Sequence, residues 1–283
     1  KRRLIDSELT EKSIDFMRRK ANGDKPFFLY VPLTHLHFPT LAHPDFAGKS
    51  GVGEFADSMM EMDYRVGQLM DAVKDLGIEK DTLFIFASDN GPEFRRPWRG
   101  TAGPWSGTYH TAMEGGLRVP LIVKWTGHID KARVSDDIVH VTDLFTTLIE
   151  VAGAEMPTDR PIDGLSQLSW WKGLVEKSAR EGFLFYIKTE LRAVKWRHWK
   201  LHFVFESEPN SGTKQLETPW LFNIKRDPKE ETDAAMEDGW VRGPMRKMIM
   251  AFEKSLKDHP PIAPGAPDQV NPCPSSAKLS VDN

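Results

Sequence analysis

The chain has 283 residues, 40% of them hydrophobic and 28% charged, a length that supports a sizeable core and exceeds one compact domain. No apolar run is long enough to cross a bilayer, and 38 basic against 41 acidic residues nearly cancel, so no broad field draws nucleic acid or an anionic membrane surface. The lone cysteine, Cys273, excludes an intrachain disulfide and a cysteine-built metal site, and leaves the redox compartment open.

The sequence opens on Lys1-Arg2-Arg3-Leu4 with neither an initiator methionine nor a secretory apolar stretch, and is expected to continue upstream. Ser7 to Lys20 reads as a helix closed by Asn22-Gly23. After Pro26, Phe27-Phe28-Leu29-Tyr30-Val31 reads as a strand buried on both faces, followed at once by polar Thr34-His35-Leu36-His37. From Glu54 to Leu76, Phe55, Met59, Met62, Val66, Leu69, Met70 and Val73 recur at helical spacing, and Gly77 sits where helices end. Thr82 to Ala87 is the next apolar strand, and it stops abruptly at Ser88-Asp89-Asn90-Gly91-Pro92. A glycine-rich loop with Trp98 and Trp105 then leads to a strand over Val119 to Trp125.

Strand, long helix, strand, loop and strand in succession predict an α/β layered domain with strands of largely parallel sense. In such sheets functional groups gather beyond the carboxyl ends of the strands, where both His35-Leu36-His37 and Asp89-Asn90-Gly91 fall. From Gly182 the texture changes to short segments, Phe183 to Ile187, Leu191 to Trp196, Lys200 to Phe205 and Trp220 to Ile224. Their connections are too short for crossover helices, which predicts a small antiparallel sheet. Pro244 begins a helix carrying Met245, Met248, Ile249, Phe252 and Leu256, and the tail from Pro260 reads as extended. The expected division is residues 1–180 for the α/β domain and 181–283 for a smaller subdomain of antiparallel sheet, terminal helix and tail.

Asp89 and Asn90 offer a carboxylate and an amide oxygen side by side, suited to a hard cation such as calcium; Asp-Asn-Gly after a strand also reads as a turn. His35 and His37 flank Leu36, so on an extended backbone they point the same way and reach one anion. Capping of loops is the other reading of these histidines, and of His43 nearby. Glu114-Gly115-Gly116-Leu117-Arg118 brings backbone N–H groups near a ligand or forms a tight turn whose Arg118 makes a structural ion pair, and the second is expected. Trp98 and Trp105 line a substrate mouth or pack it shut. Cys273-Pro274-Ser275-Ser276 lies in the extended tail and reads as inert.

In order, Pro26 to Val31 with His35-Leu36-His37-Phe38-Pro39, Asp57 to Asp63, Leu83 to Glu93, Glu114 to Val123 and Leu221 to Glu230 resemble the type I sulfatases, the arylsulfatase branch of the alkaline phosphatase superfamily. The resemblance runs from about Ser7 to Leu256. It implies an alkaline-phosphatase-like layered α/β fold and a sulfuric ester hydrolase acting on a small-molecule or glycan sulfate ester with calcium as cofactor. Asp89 and Asn90 match a pair of metal ligands, and His37 matches the histidine that contacts the sulfate and assists the leaving group. The family's nucleophile is a formylglycine made from cysteine in a C-x-P-S-R motif, supported by an upstream aspartate pair and a K-x-H pair; none of these falls within the matching stretches. The implied reading is a C-terminal portion with little turnover and weak calcium affinity by itself. The family usually has a lysine shortly before the Glu-Gly-Gly turn, where this chain has Tyr109-His110, and a neutral imidazole or phenol donates a hydrogen bond without bringing fixed charge. His35, His37 and His110 are thus the candidate substrate-binding residues. A phosphodiesterase or phosphonate monoester hydrolase of the same superfamily, or a non-catalytic remnant, stay open beside it. A periplasmic or extracellular location is what the family implies, with a cytoplasmic one also open.

Overall fold

The computed structural model describes residues 1–93, 95, 100–206 and 211–261. Trp98 and Cys273 lie outside the described residues.

Helix α1 (Ile5–Lys20) packs along helix α2 (Glu54–Asp75). Their apolar faces supply Met17, Leu69, Ala72 and Val73 to one core, against which Phe27, Leu29, Val31 and Phe84 pack. Only the odd-numbered residues of the 27–31 run reach that core, while Phe28 and Tyr30 are 74% and 76% exposed. The run is therefore covered on one face, and it pairs into no ladder among the described residues, which corrects the expectation of a strand buried on both.

Strand β1 (Phe84–Ala87) and strand β2 (Leu121–Lys124) form a two-stranded sheet that is antiparallel, with Phe84 opposite Lys124 and Ala87 opposite Leu121. The parallel sense expected for these strands is thus overturned. A parallel pair needs a crossover of a dozen or more residues that carries the chain back along the sheet. The segment between β1 and β2 instead returns on itself, with Gly91 N donating to Gly116 O at 2.9 Å across its base. The described part of that segment contains a single helical turn, α3 (Glu114–Leu117).

Helix α4 (Val141–Val151) starts on a capping box in which Asp143 accepts from His140 N, satisfying orphan donors of the first turn. The short α5 (Leu168–Trp171) follows. Buried Asp143 also takes a bidentate grip from Arg180 at 2.6–3.0 Å, which anchors the chain just before it enters the second sheet.

That sheet is antiparallel in the order β3 (Gly182–Ile187), β4 (Glu190–Trp196), β5 (Trp199–Phe205), β6 (Lys214–Asn223). Its first two connections are two-residue turns opened by Lys188 and Arg197 at φ 56 and 57. Helix α6 (Arg242–Asp258) lays Met245 over Val194, Trp199, Leu201 and Leu221 to close a second core. Pro244 sits in its first turn, where a missing N–H costs nothing. No helix among the described residues is long and apolar enough to cross a membrane.

Candidate active site

The site is built where β1 ends. Ala87 is the last ladder residue, and Ser88-Asp89-Asn90 turn outward, leaving Asp89 exposed and Asn90 half-buried. Asp89 Oδ1 accepts from Asn90 N at 2.9 Å, and Asn90 Nδ2 donates to Gly91 O at 2.9 Å. With its nitrogen so engaged, the Asn90 amide leaves Oδ1 available. Gly91 then passes so close to α3 that a Cβ there would stand 1.9 Å from Gly115 O. Glycine is required at this position by proximity alone.

The neighbouring loops are tied to this turn by main-chain bonds. Pro92 O accepts from Tyr109 N at 3.0 Å, and Gly115 N donates to Ser106 O at 2.7 Å. Glu93 Oε2 accepts from Phe38 N at 3.1 Å and brings the histidine loop alongside. His37, Asp89, Asn90 and the Tyr109-His110 loop therefore belong to segments held against one another at the end of β1.

His37 is largely exposed, with its ring stacked on Phe38 at a centroid distance of 4.8 Å. Its Nδ1 lies 2.7 Å from Phe38 O; a carbonyl only accepts, so Nδ1 carries a proton and Nε2 is the ring position open to chemistry. Nε2 is 3.7 Å from Glu93 Oε1.

His35 points the other way. Its side chain is buried, with Nε2 2.8 Å from Glu61 Oε2 and 3.5 Å from Asp6 Oδ2. The two histidines share no face because the segment is not extended: His37 N closes a turn onto Thr34 O at 3.1 Å, and alternation of side chains holds only on a strand. This corrects the expectation that both imidazoles reach one anion. Asp6 accepts from Thr34 N and His35 N, Glu61 accepts from His43 N, and Arg65 pairs with Glu61. Burial opposes charge on Glu61, but the His43 amide, His35 and Arg65 outweigh it and keep its carboxyl below the usual range. His43 itself pairs with Asp45 at the loop's edge.

His110 is exposed and takes a left-handed backbone at φ 70, its ring 3.9 Å from that of Tyr109. Arg118 makes an ion pair, its Nε 3.0 Å from Glu114 Oε2, and its guanidinium covers Trp105 at 3.9 Å. Among the described residues no group of three or more His, Cys, Asp or Glu is arranged to hold a metal. Calcium takes about 6–8 oxygens, so Asp89 and Asn90 fit it as part of a shell.

Sequence reasoning missed Glu93, although it stands just beyond the singled-out Asp89 and Asn90. It also missed the buried charges behind α3. Glu114 is paired with Lys195 at 2.5 Å and with Lys200 at 3.3 Å, both on the second sheet. Glu230 accepts from Glu114 N at 2.8 Å and lies 3.3 Å from Lys200 and 2.5 Å from His202. Charged residues inside otherwise apolar strands were the available signal.

A family model described as sulfatase matches residues 3–154, and one described as the C-terminal region of aryl-sulfatase matches residues 178–279. The chain belongs to the sulfatase family. Among curated sulfatases, human arylsulfatase A is 35% identical over 85% of this chain and 50% of its own length. Mouse steryl-sulfatase is 30% identical over 95% of this chain and 46% of its own, and pig N-acetylgalactosamine-6-sulfatase 30% over 95% and 55%. The chain spans about half the length of the curated relatives it matches. The solved PsFucS1 sulfatase from Pseudoalteromonas sp. superposes with a TM-score of 0.84 at 28% identity, over 91% of this chain and 54% of that one. The fold is accordingly the mixed α/β, alkaline-phosphatase-like fold of the sulfatases.

Proposed function

We propose that this chain contributes the metal-proximal and leaving-group side of the active site of a sulfuric ester hydrolase, acting on a small-molecule or glycan sulfate ester. The observation that carries the reading is the bonding of the His37 loop, through Phe38 N and Glu93, to the turn that bears Asp89 and Asn90. Asp89 and the Asn90 amide oxygen would hold calcium, which supplies a Lewis acid for the sulfate oxygens. His37 Nε2, with Nδ1 already committed, binds a sulfate oxygen or gives a proton to the departing alcohol oxygen. Tyr109 and His110 donate hydrogen bonds from the rim, and His35 is a positioning residue that holds the loop through Glu61 and Asp6. This chain contains no C-x-P-S-R sequence, so the formylglycine nucleophile that the resemblance implies is assigned outside it. The relatives' names cover steryl, aryl and N-acetylgalactosamine sulfates, which supports a substrate class at the level of the sulfate ester.

The test is a side-by-side assay of full-length protein, with formylglycine verified, on aryl sulfate, aryl phosphate and phenylphosphonate esters with calcium. Preferential sulfate release is expected. Cleavage of the phosphorus esters alone would move the assignment to a phosphodiesterase or phosphonate hydrolase, and no cleavage of any would leave a non-catalytic protein.

A further inference from the structure

Behind the α3 turn lies a cluster of charges that the proposed chemistry does not use. Glu114, Lys195, Lys200, His202 and Glu230 are all less than 5% exposed. Two carboxylates face two ammonium groups, with Lys200 Nζ also 4.4 Å from the Phe185 ring centroid. Burial alone would neutralise such groups. Burial opposes charge on Glu114, yet Lys200 and Lys195 outweigh it and hold its carboxyl down at about 2. Glu230 is likewise kept low, against burial, by Lys200 and His202. Burial keeps His202 below its ordinary value, so it stays neutral and donates Nε2–H to Glu230.

The cluster joins Glu114 to partners 81 to 116 residues away in sequence, and it touches the α3 turn twice. Lys195 and Lys200 hold the Glu114 carboxylate, and Glu230 holds the Glu114 main-chain N–H. The same turn carries Gly116, whose carbonyl accepts from Gly91 N beside Asn90, and Gly115, whose N–H holds the loop of Tyr109 and His110.

We propose that Glu230 and Lys200 are positioning residues for the candidate metal loop, acting through Glu114 so that the second sheet sets where Asp89 and Asn90 stand. The placement is independent of any activity; its catalytic meaning rests on the sulfatase reading above. A cluster serving stability alone would affect its own sheet and nothing beyond.

The experiment compares full-length wild type, Glu230→Gln, and the charge-balanced pair Glu230→Gln with Lys200→Met, by hydrogen exchange and by calcium titration of aryl sulfate hydrolysis. Gln keeps an oxygen for Glu114 N but loses the ionic hold, and the balanced pair leaves no surplus buried cation, which keeps the comparison usable if the single variant folds poorly. Exchange in residues 88–93 and 105–117 is expected to rise about tenfold in both variants with α1 and α2 unchanged, and half-saturating calcium to rise about tenfold. kcat should fall with KM little altered, and the balanced pair should regain melting temperature without regaining calcium affinity. Faster exchange confined to β4, β5 and their turns, or a balanced pair with the wild-type calcium requirement, would overturn the proposal. If the wild type cleaves no sulfate ester, the sulfatase reading falls and the exchange data still decide the coupling.

Discussion

Gly91→Ala is the smallest change that reaches the candidate metal loop without touching a ligand. The added methyl would stand 1.9 Å from Gly115 O, against an ordinary contact of 3.4 Å or more. The 88–93 turn and α3 must therefore part by roughly 1.5 Å, which stretches the 2.9 Å bond from Gly91 N to Gly116 O beyond use. Overpacking costs about 1–3 kcal/mol and the lost bond about 0.5–1.5 kcal/mol. Together they predict a loss of about 2–4 kcal/mol, read as a fall in melting temperature of roughly 3–7 °C by differential scanning calorimetry. Displacing Asp89 and Asn90 by more than an ångström should also lower kcat by about a hundredfold. A variant that melts within a degree of wild type and keeps its turnover would refute the close approach and the reasoning built on it.

His37→Ala is expected to lower kcat by roughly 10²–10⁴, most steeply for esters with poor leaving groups; equal losses across a series of phenyl sulfates would argue that His37 only binds. Arg180→Met strips the partner from fully buried Asp143 and should cost about 3–5 kcal/mol in urea unfolding, with a loss below 1 kcal/mol contradicting the anchor. Asp143, Glu61, Glu114 and Glu230 all have carboxyls held below their ordinary values in the fold. Each contributes stability that is complete above the unfolded value and lost as pH falls through the folded one. Melting temperature should accordingly hold from neutrality to about pH 5 and then drop, with the Glu114 share disappearing between 4.5 and about 2; a flat profile down to pH 3 would contradict these pairings.

Helices α1, α2 and α6 and the second sheet were legible because each reports on local chemistry, whereas α4 was not singled out. Apolar spacing in 54–76 marks α2, and gaps too short for crossovers mark the hairpins of β3 to β5. Strand sense was not legible. Whether β1 and β2 run parallel depends on how the intervening loop folds back, and the Gly91 to Gly116 bond that settles it joins residues no pattern pairs. The two-faced burial expected of the 27–31 run failed for the same reason, since an apolar stretch does not say what covers its second face. At the site, Asp89-Asn90 was readable as a strand-end pair, whereas the orientation of His35 was lost once a turn replaced the extended backbone on which alternation depends. Lys195 and Lys200 inside otherwise apolar strands were a visible sign of buried charge, but which carboxylates they meet is a long-range pairing that single-sequence patterns do not give.

Asp89 and Asn90 are proposed to hold a calcium ion that serves sulfate ester cleavage. The most direct test is calcium titration of aryl sulfate hydrolysis by full-length protein, wild type against Asp89→Ala and Asn90→Ala. Activity that depends on calcium, with half-saturation moved upward about 10–100-fold in each variant, is the predicted result. Hydrolysis that is indifferent to calcium, or variants that titrate as wild type does, would contradict it.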